Sequence, residues 1–241
     1  MKHPIFITCY KSPELCRRAL HGLQSLGHLQ RHGAVLIDHS DDDNHAIYQL
    51  LAKEFGAKAF QLENGGASQA KRNVVKIANQ LGHEIVHQMS EDFIVNDQSY
   101  SGVASGVHTF LMDSELILSK MPNLGFVRWN IYTSHNGDMS YFWRGENHGN
   151  LFLKFLVGAT LPFVVGRVLY TNWPATWRVS HIDEIWTAAE KWEPLNEQEK
   201  ELAITSGNEW AASHCGVGSG AVLVANPMRH PDRIKPADSI G

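Results

Sequence analysis

At 241 residues, with 43% hydrophobic and 19% charged side chains, the chain has the length and composition of one large α/β domain or two small ones with a real core. A formal net charge of -4 excludes the global basic field that drives nonspecific nucleic-acid binding, although a local basic groove remains open. Three cysteines, Cys9, Cys16 and Cys215, form no CxxC pair; this argues against a disulfide framework and points to a reducing, cytoplasmic setting.

Met1 to Ile7 runs straight into a strand pattern with no secretory signature. Ile5-Phe6-Ile7-Thr8-Cys9 reads as a buried strand. Ser12-Pro13 then supplies an N-cap and a first-turn proline. Leu15, Ala19, Leu20, Leu23 and Leu26 follow at helical spacing and Gly27 closes the helix. Ala34-Val35-Leu36-Ile37 is a second strand ending at Asp38, and Ala46, Ile47, Leu50, Leu51 and Phe55 form the next helical stripe. Ala57 to Leu62 is a short third strand. After Asn64-Gly65-Gly66, residues Ala70, Val74, Ile77, Ala78 and Leu81 mark a third helix. Ile85-Val86-His87-Gln88-Met89 is a fourth strand, and it delivers two acids, Glu91 and Asp92, at its end.

This βαβαβαβ order predicts a parallel sheet covered by helices on both faces. Thr8, Asp38 and Glu91-Asp92 then line the edge where open α/β sheets bind ligands. Carboxylates there suit Mg²⁺ or Mn²⁺ shared with a diphosphate; a solvated turn is the plainer reading. The glycine-rich dinucleotide fingerprint and the P-loop are both absent from the sequence, which excludes the usual hydride-transfer and P-loop kinase designs.

The second half is less regular. Met112 to Leu118 reads as a helix and Leu124 to Trp129 as a strand. Leu151 to Gly166 contains Lys154 and Pro162 and is too short to span a bilayer, so buried strands or a core helix are expected. Trp129, Tyr132, Tyr141, Phe142, Trp143, Trp173 and Trp177 form an aromatic-rich region, core material by default and a platform for sugars or bases otherwise. A charged helix is expected over 188–203 and a tail over 226–241.

The order of Ile7-Thr8-Cys9-Tyr10, Ile37-Asp38-His39-Ser40-Asp41, Lys71-Arg72-Asn73 and Ser90-Glu91-Asp92 resembles a family 2 type glycosyltransferase with a GT-A fold. The resemblance implies a mostly parallel nucleotide-binding sheet over 1–98, a smaller mixed acceptor-side half over 99–225 and the tail beyond. It also implies roles. Thr8 and Tyr10 border the nucleoside, Asp38 accepts hydrogen bonds from the base, and Ser40 and Asp41 shape the pocket. Lys71 or Arg72 lies near the donor phosphates, unless the pair is an ordinary solvated helix face. Asp92 ligates a divalent metal, Mn²⁺ or Mg²⁺, with Glu91 facing ribose or metal; Ser90 replaces the first acid of the family's usual triplet.

Later segments extend the likeness. Asn172-Trp173-Pro174 is similar to an Asn-x-Pro segment of some bacterial glycosyltransferases, and Ser180-His181-Ile182-Asp183-Glu184 looks like the acidic catalytic segment. Asp183, then Glu184, is the candidate base for the acceptor hydroxyl; helix capping is the alternative. Ser213-His214-Cys215-Gly216 resembles a late His-x-Gly element in which His214 completes the metal site. The implied reaction is transfer of a sugar from a nucleotide donor, a UDP-sugar first, with inversion. The acceptor is open: a glycan, a small molecule, a protein or a modified nucleobase. A nucleotidyltransferase and a noncatalytic binding relative are the alternatives. Against the former, the first loop is Tyr10-Lys11-Ser12-Pro13, not glycine-rich.

Overall fold

A computed structural model describes residues 3–40, 43–95, 109–129, 152–154, 156–160, 163–166, 174–183, 211–214 and 222–224. Its first half alternates strand and helix as the apolar periodicity predicts. The order is β1 (Ile5–Cys9), α1 (Pro13–Ser25), α2 (His28–His32), β2 (Ala34–Asp38), α3 (Asn44–Phe55), β3 (Lys58–Gln61), α4 (Gly66–Gln80) and β4 (Ile85–Ser90). These strands line up β3-β2-β1-β4, all parallel. The short α2 has no counterpart in the sequence reading. It follows Gly27, whose φ of 77° reverses the chain after α1.

Strand alternation separates two cores. Ile5, Ile7, Cys9, Leu36 and Met89 share one cluster with α1 and α3 through Leu20, Leu23, Tyr48 and Leu51. Phe6, Val35, Ile37 and Val86 are buried on the other face, as are Val74, Ile77 and Ala78 of α4. Helices therefore cover both faces.

Beyond β4 come β5 (Phe93–Val95), α5 (Phe110–Lys120), β6 (Phe126–Arg128), β7 (Phe152–Lys154), β8 (Phe163–Gly166), β9 (Ala175–Arg178), β10 (Ala211–His214) and β11 (Val222–Val224). The main sheet continues β4-β9-β6-β10-β8-β7, while β11 and β5 pair separately. Among the described strands of this sheet, β9 and β8 oppose the common direction, so it is mostly parallel and mixed towards its far edge. Within 151–166 the described residues include two strands, β7 and β8, and no helix.

β9 was not foreseen as a strand. It pairs antiparallel with β4, Ile85 opposite Arg178 and Gln88 opposite Ala175. Its chain therefore enters at the C-terminal end of β4 and leaves at the N-terminal end. The stretches at 188–203 and 226–241 lie outside the described residues, as do Tyr132, Tyr141, Phe142, Trp143 and Trp173. Among the described residues no helix is long and apolar enough to cross a membrane.

Candidate functional site

The C-terminal ends of β1, β2 and β4 lie side by side because Thr8 pairs with both Ile37 and Ser90. The loop after β1 crosses this edge, and three neighbouring elements hold it by its backbone. The N–H of Tyr10 donates to Glu91 Oε1 at 2.6 Å. That of Lys11 donates to Ser40 Oγ at 3.0 Å, and that of Ser12 to the Tyr48 hydroxyl at 3.0 Å. Ser12 stands at the N-cap of α1, with Pro13 inside the first turn, yet its side chain makes no capping bond. Lys11 has a φ of 58°, a left-handed conformation that a side chain with a Cβ adopts at a cost. The three anchors hold it there. Tyr10 is left 45% exposed, with Lys11 Nζ 5.2 Å from its ring centre.

Glu91, expected to face ribose or metal, points inward from the edge. Its side chain turns under the loop and is 5% exposed; Oε2 accepts the Tyr48 hydroxyl at 2.6 Å. Burial pushes its carboxyl up to about 7, against the Tyr48 and Tyr10 hydrogen bonds and with help from the charges of Asp92 and Asp38. Burial first, then the Glu91 charge, pushes the Tyr48 phenol far above its ordinary range. Asp92 is partly exposed beside Glu91.

Asp38 is fully buried. Its Oδ1 accepts the Ser40 N–H at 2.8 Å, an Asx-type turn, and its Oδ2 lies 2.9 Å from His45 Nδ1. His45 meets Gln49 at 2.9 Å through Nε2. Asp38 thus braces the pocket wall and presents no surface to a base. Thr8 Oγ1 bonds inward, to the Met89 carbonyl at 3.3 Å and Ser90 Oγ at 3.4 Å. Lys71 is 5% exposed, its ammonium 5.8 Å from the Trp177 ring centre across the sheet face, whereas Arg72 is partly exposed. Asp41 lies outside the described residues.

The antiparallel course of β9 separates the expected catalytic acid from this edge. Residues 179–183 form a helical turn directly after β9, and the Val179 N–H donates to the Glu84 carbonyl at 2.9 Å, beside the start of β4. Asp183 is exposed at that far end. The six residues of β4 lie between, roughly 20 Å of strand. Asp183, expected as the base, therefore stands at the sheet end opposite Asp38, Glu91 and Asp92. Glu184 lies outside the described residues. His214 ends β10, which runs parallel to β6, so it stands at the same end as Asp92 but three strands away. At about 4.8 Å per strand that is roughly 14 Å.

Among the described residues, three-residue groups able to hold a metal occur at Cys9, Cys16 and Glu91 and at His32, His87 and Glu115. Asp92 belongs to neither, so at the strand edge it offers one carboxylate. That fits a hard cation whose other ligands are water and a substrate diphosphate. The Cys9 and Cys16 thiols are buried 3.7 Å apart, and burial pushes the Cys9 thiol up, which suits packing and not nucleophilic chemistry. Sequence reasoning missed Tyr48, which occupies the helical stripe of α3 and looks like core, and His45, whose pairing with Asp38 needs the turn between them.

No family model matches the chain, and no curated protein does. Solved structures do share its fold. The 1–349 fragment of TarS from S. aureus is 15% identical with a TM-score of 0.53, over 90% of this chain and 60% of that one; it has also been solved with UDP and with UDP-GlcNAc. The mannosyltransferase PcManGT from Pyrobaculum calidifontis, in complex with GDP-Man and Mn²⁺, is 12% identical with a TM-score of 0.53, covering 88% of this chain and 56% of that one. A cytidylyltransferase from Leptospira borgpetersenii is 12% identical with a TM-score of 0.51, over 90% and 76%. The chain thus spans less than two thirds of the first two. The class is a mixed α/β fold of the GT-A type, a mostly parallel sheet flanked by helices and shared with a mannosyltransferase and a cytidylyltransferase.

Proposed function

We propose that the chain is a nucleotide-sugar-dependent glycosyltransferase whose donor sits on the edge formed by β1, β2 and β4. The observation that carries this is the fixed loop: the N–H groups of Tyr10, Lys11 and Ser12 are all bonded to Glu91, Ser40 and Tyr48. Rigid backbone and an exposed aromatic ring suit stacking a nucleobase. Asp38 acts as a positioning residue here, holding Ser40 and His45 and so the wall beside Tyr10. Asp92 holds the metal, and Arg72 is the basic side chain assigned to the donor phosphates. A bound Mn²⁺ or Mg²⁺ neutralises charge on the diphosphate. UDP is the first nucleotide to try, because UDP and UDP-GlcNAc occupy TarS. His214 stands on the correct sheet end for a metal-site role at the acceptor side. No described residue is assigned as acceptor base.

The cytidylyltransferase likeness favours a second reading, nucleotidyl transfer. Phosphate-cradling loops use free backbone N–H groups, and here those three are taken. The experiment is calorimetry and turnover with UDP-sugars and with CTP plus sugar phosphates, each with Mn²⁺. Release of UDP supports glycosyl transfer; release of pyrophosphate from CTP replaces it with the second reading.

A further inference from the structure

Away from the strand edge, on the sheet face opposite α4, three side chains from distant parts of the chain converge. They are His32 at the end of α2, His87 in the middle of β4 and Glu115 in α5. His32 is 1% exposed, His87 is fully buried, and the Glu115 side chain is 12% exposed. Glu115 Oε1 lies 3.0 Å from His87 Nε2 and 3.4 Å from His32 Nδ1, and the two rings meet edge to face at 4.8 Å. We propose that His32 Nδ1, His87 Nε2 and Glu115 Oε1 form a site for one transition-metal cation, Zn²⁺ first, that ties α2, β4 and α5 together.

The spacing fits. Ligands bound at about 2.0–2.1 Å in a tetrahedron stand roughly 3.3 Å apart, and the 3.0 and 3.4 Å separations straddle that value. All three ligand atoms lie within 4.8 Å of one another. Two imidazoles and one carboxylate are the donor set of zinc and its neighbours, not of Ca²⁺ or Mg²⁺. With Glu115 at the solvent margin, water can take a fourth position.

His32 supplies an independent observation. Neither of its ring nitrogens meets a partner with hydrogen-bond geometry among the described residues, although the residue is buried; Nδ1 has a 3.4 Å approach to Glu115 Oε1. A buried polar side chain without well-formed hydrogen bonds is costly. An ordinary His–Glu pair accounts for the 3.0 Å contact to His87 but leaves His32 with that longer approach; a cation between the three side chains satisfies both.

The surroundings of His87 prepare its Nε2 as a ligand. Its Nδ1 lies 2.8 Å from Thr176 Oγ1, which also accepts the Trp129 indole N–H at 2.9 Å. A hydroxyl oxygen has two acceptor sites, so Thr176 can take the Nδ1–H as well and leave Nε2 unprotonated. Such outer partners fix the ring of a metal-bound histidine.

The test titrates Co²⁺, then competing Zn²⁺, into the full chelator-treated chain carrying Asp92→Asn, which silences the strand-edge carboxylate. The expected result is one Co²⁺ per chain with the intense visible absorption of a four-coordinate ion, displaced by Zn²⁺, and a higher unfolding temperature with metal. Glu115→Gln keeps a side chain of the same size that can hydrogen-bond His87 Nε2 but loses the carboxylate. It and His32→Gln should each weaken binding by more than the roughly 10- to 100-fold that loss of an outer partner costs. No stoichiometric Co²⁺, or parental affinity in both variants, overturns the site. Should a variant fail to fold, X-ray absorption of the Zn²⁺-loaded chain decides: a shell with two imidazoles supports the site, and one without imidazole overturns it.

Discussion

Glu91 and Tyr48, 43 residues apart in sequence, meet through a 2.6 Å hydrogen bond beneath the loop that follows β1. The phenol oxygen also accepts the Ser12 N–H, and the carboxylate also accepts the Tyr10 N–H. One buried pair thus fixes two of the three backbone anchors behind the exposed Tyr10 ring.

That pair makes stability depend on pH. The Glu91 carboxyl rises from 4.5 to about 7 because burial penalises its ionised form. Its neutral form stabilises the fold fully below about pH 4.5, and this contribution is lost as pH rises through about 7. The span corresponds to no more than roughly 3 kcal/mol. Glu91→Gln should flatten the stability profile measured by urea unfolding between pH 4.5 and 7. An unchanged slope in that variant would assign the dependence to another group.

Tyr48→Phe removes the hydroxyl and leaves the Ser12 N–H and Glu91 without that partner. A loss of about 1–3 kcal/mol in stability is expected, together with weaker nucleotide binding through the loosened loop. Thermal unfolding and calorimetry with UDP measure the two effects. Parental values for both would mean that the remaining anchors suffice.

Gly125 marks the opposite end of the sheet. A Cβ there would run into the His181 ring, so Gly125→Ala should cost about 1–3 kcal/mol by overpacking and push the 179–183 turn outward. Nucleotide affinity should stay at the parental level, since the disturbed turn is far from Tyr10. Coupled loss of affinity in a folded variant would contradict that separation.

The same separation predicts the behaviour of Asp183. Removing a general base costs about 10²- to 10⁴-fold in rate; Asp183→Asn should instead keep parental turnover. A hundredfold fall would return Asp183 to the reacting centre and require a different course for β9.

The first four strands were legible because each apolar run is bounded by its own turn signals and pairs with a neighbour through a local crossover. β9 was not. Ala175-Thr176-Trp177-Arg178 does alternate apolar and polar, but over only four residues behind a proline, and its partner β4 lies 89 residues away at the His87–Thr176 contact. Missing the antiparallel strand reversed the end of the sheet to which Asp183 was expected to belong. Glu91 and Asp92 directly follow β4 at the strand edge, but chain pattern gives no direction for a side chain. Glu91 turns inward to Tyr48, leaving Asp92 as the carboxylate with exposed surface. His32 and Glu115 carry no motif at all, because three separate elements bring them to His87.

The most direct test of the donor edge is calorimetric titration of UDP into the full chain and its Asp92→Asn variant, with and without Mn²⁺. The account predicts binding that Mn²⁺ strengthens in the parent and does not strengthen in the variant, with both equally folded by circular dichroism. Equal Mn²⁺ enhancement in the two proteins, or no binding of UDP or any other nucleoside diphosphate to the parent, would contradict it.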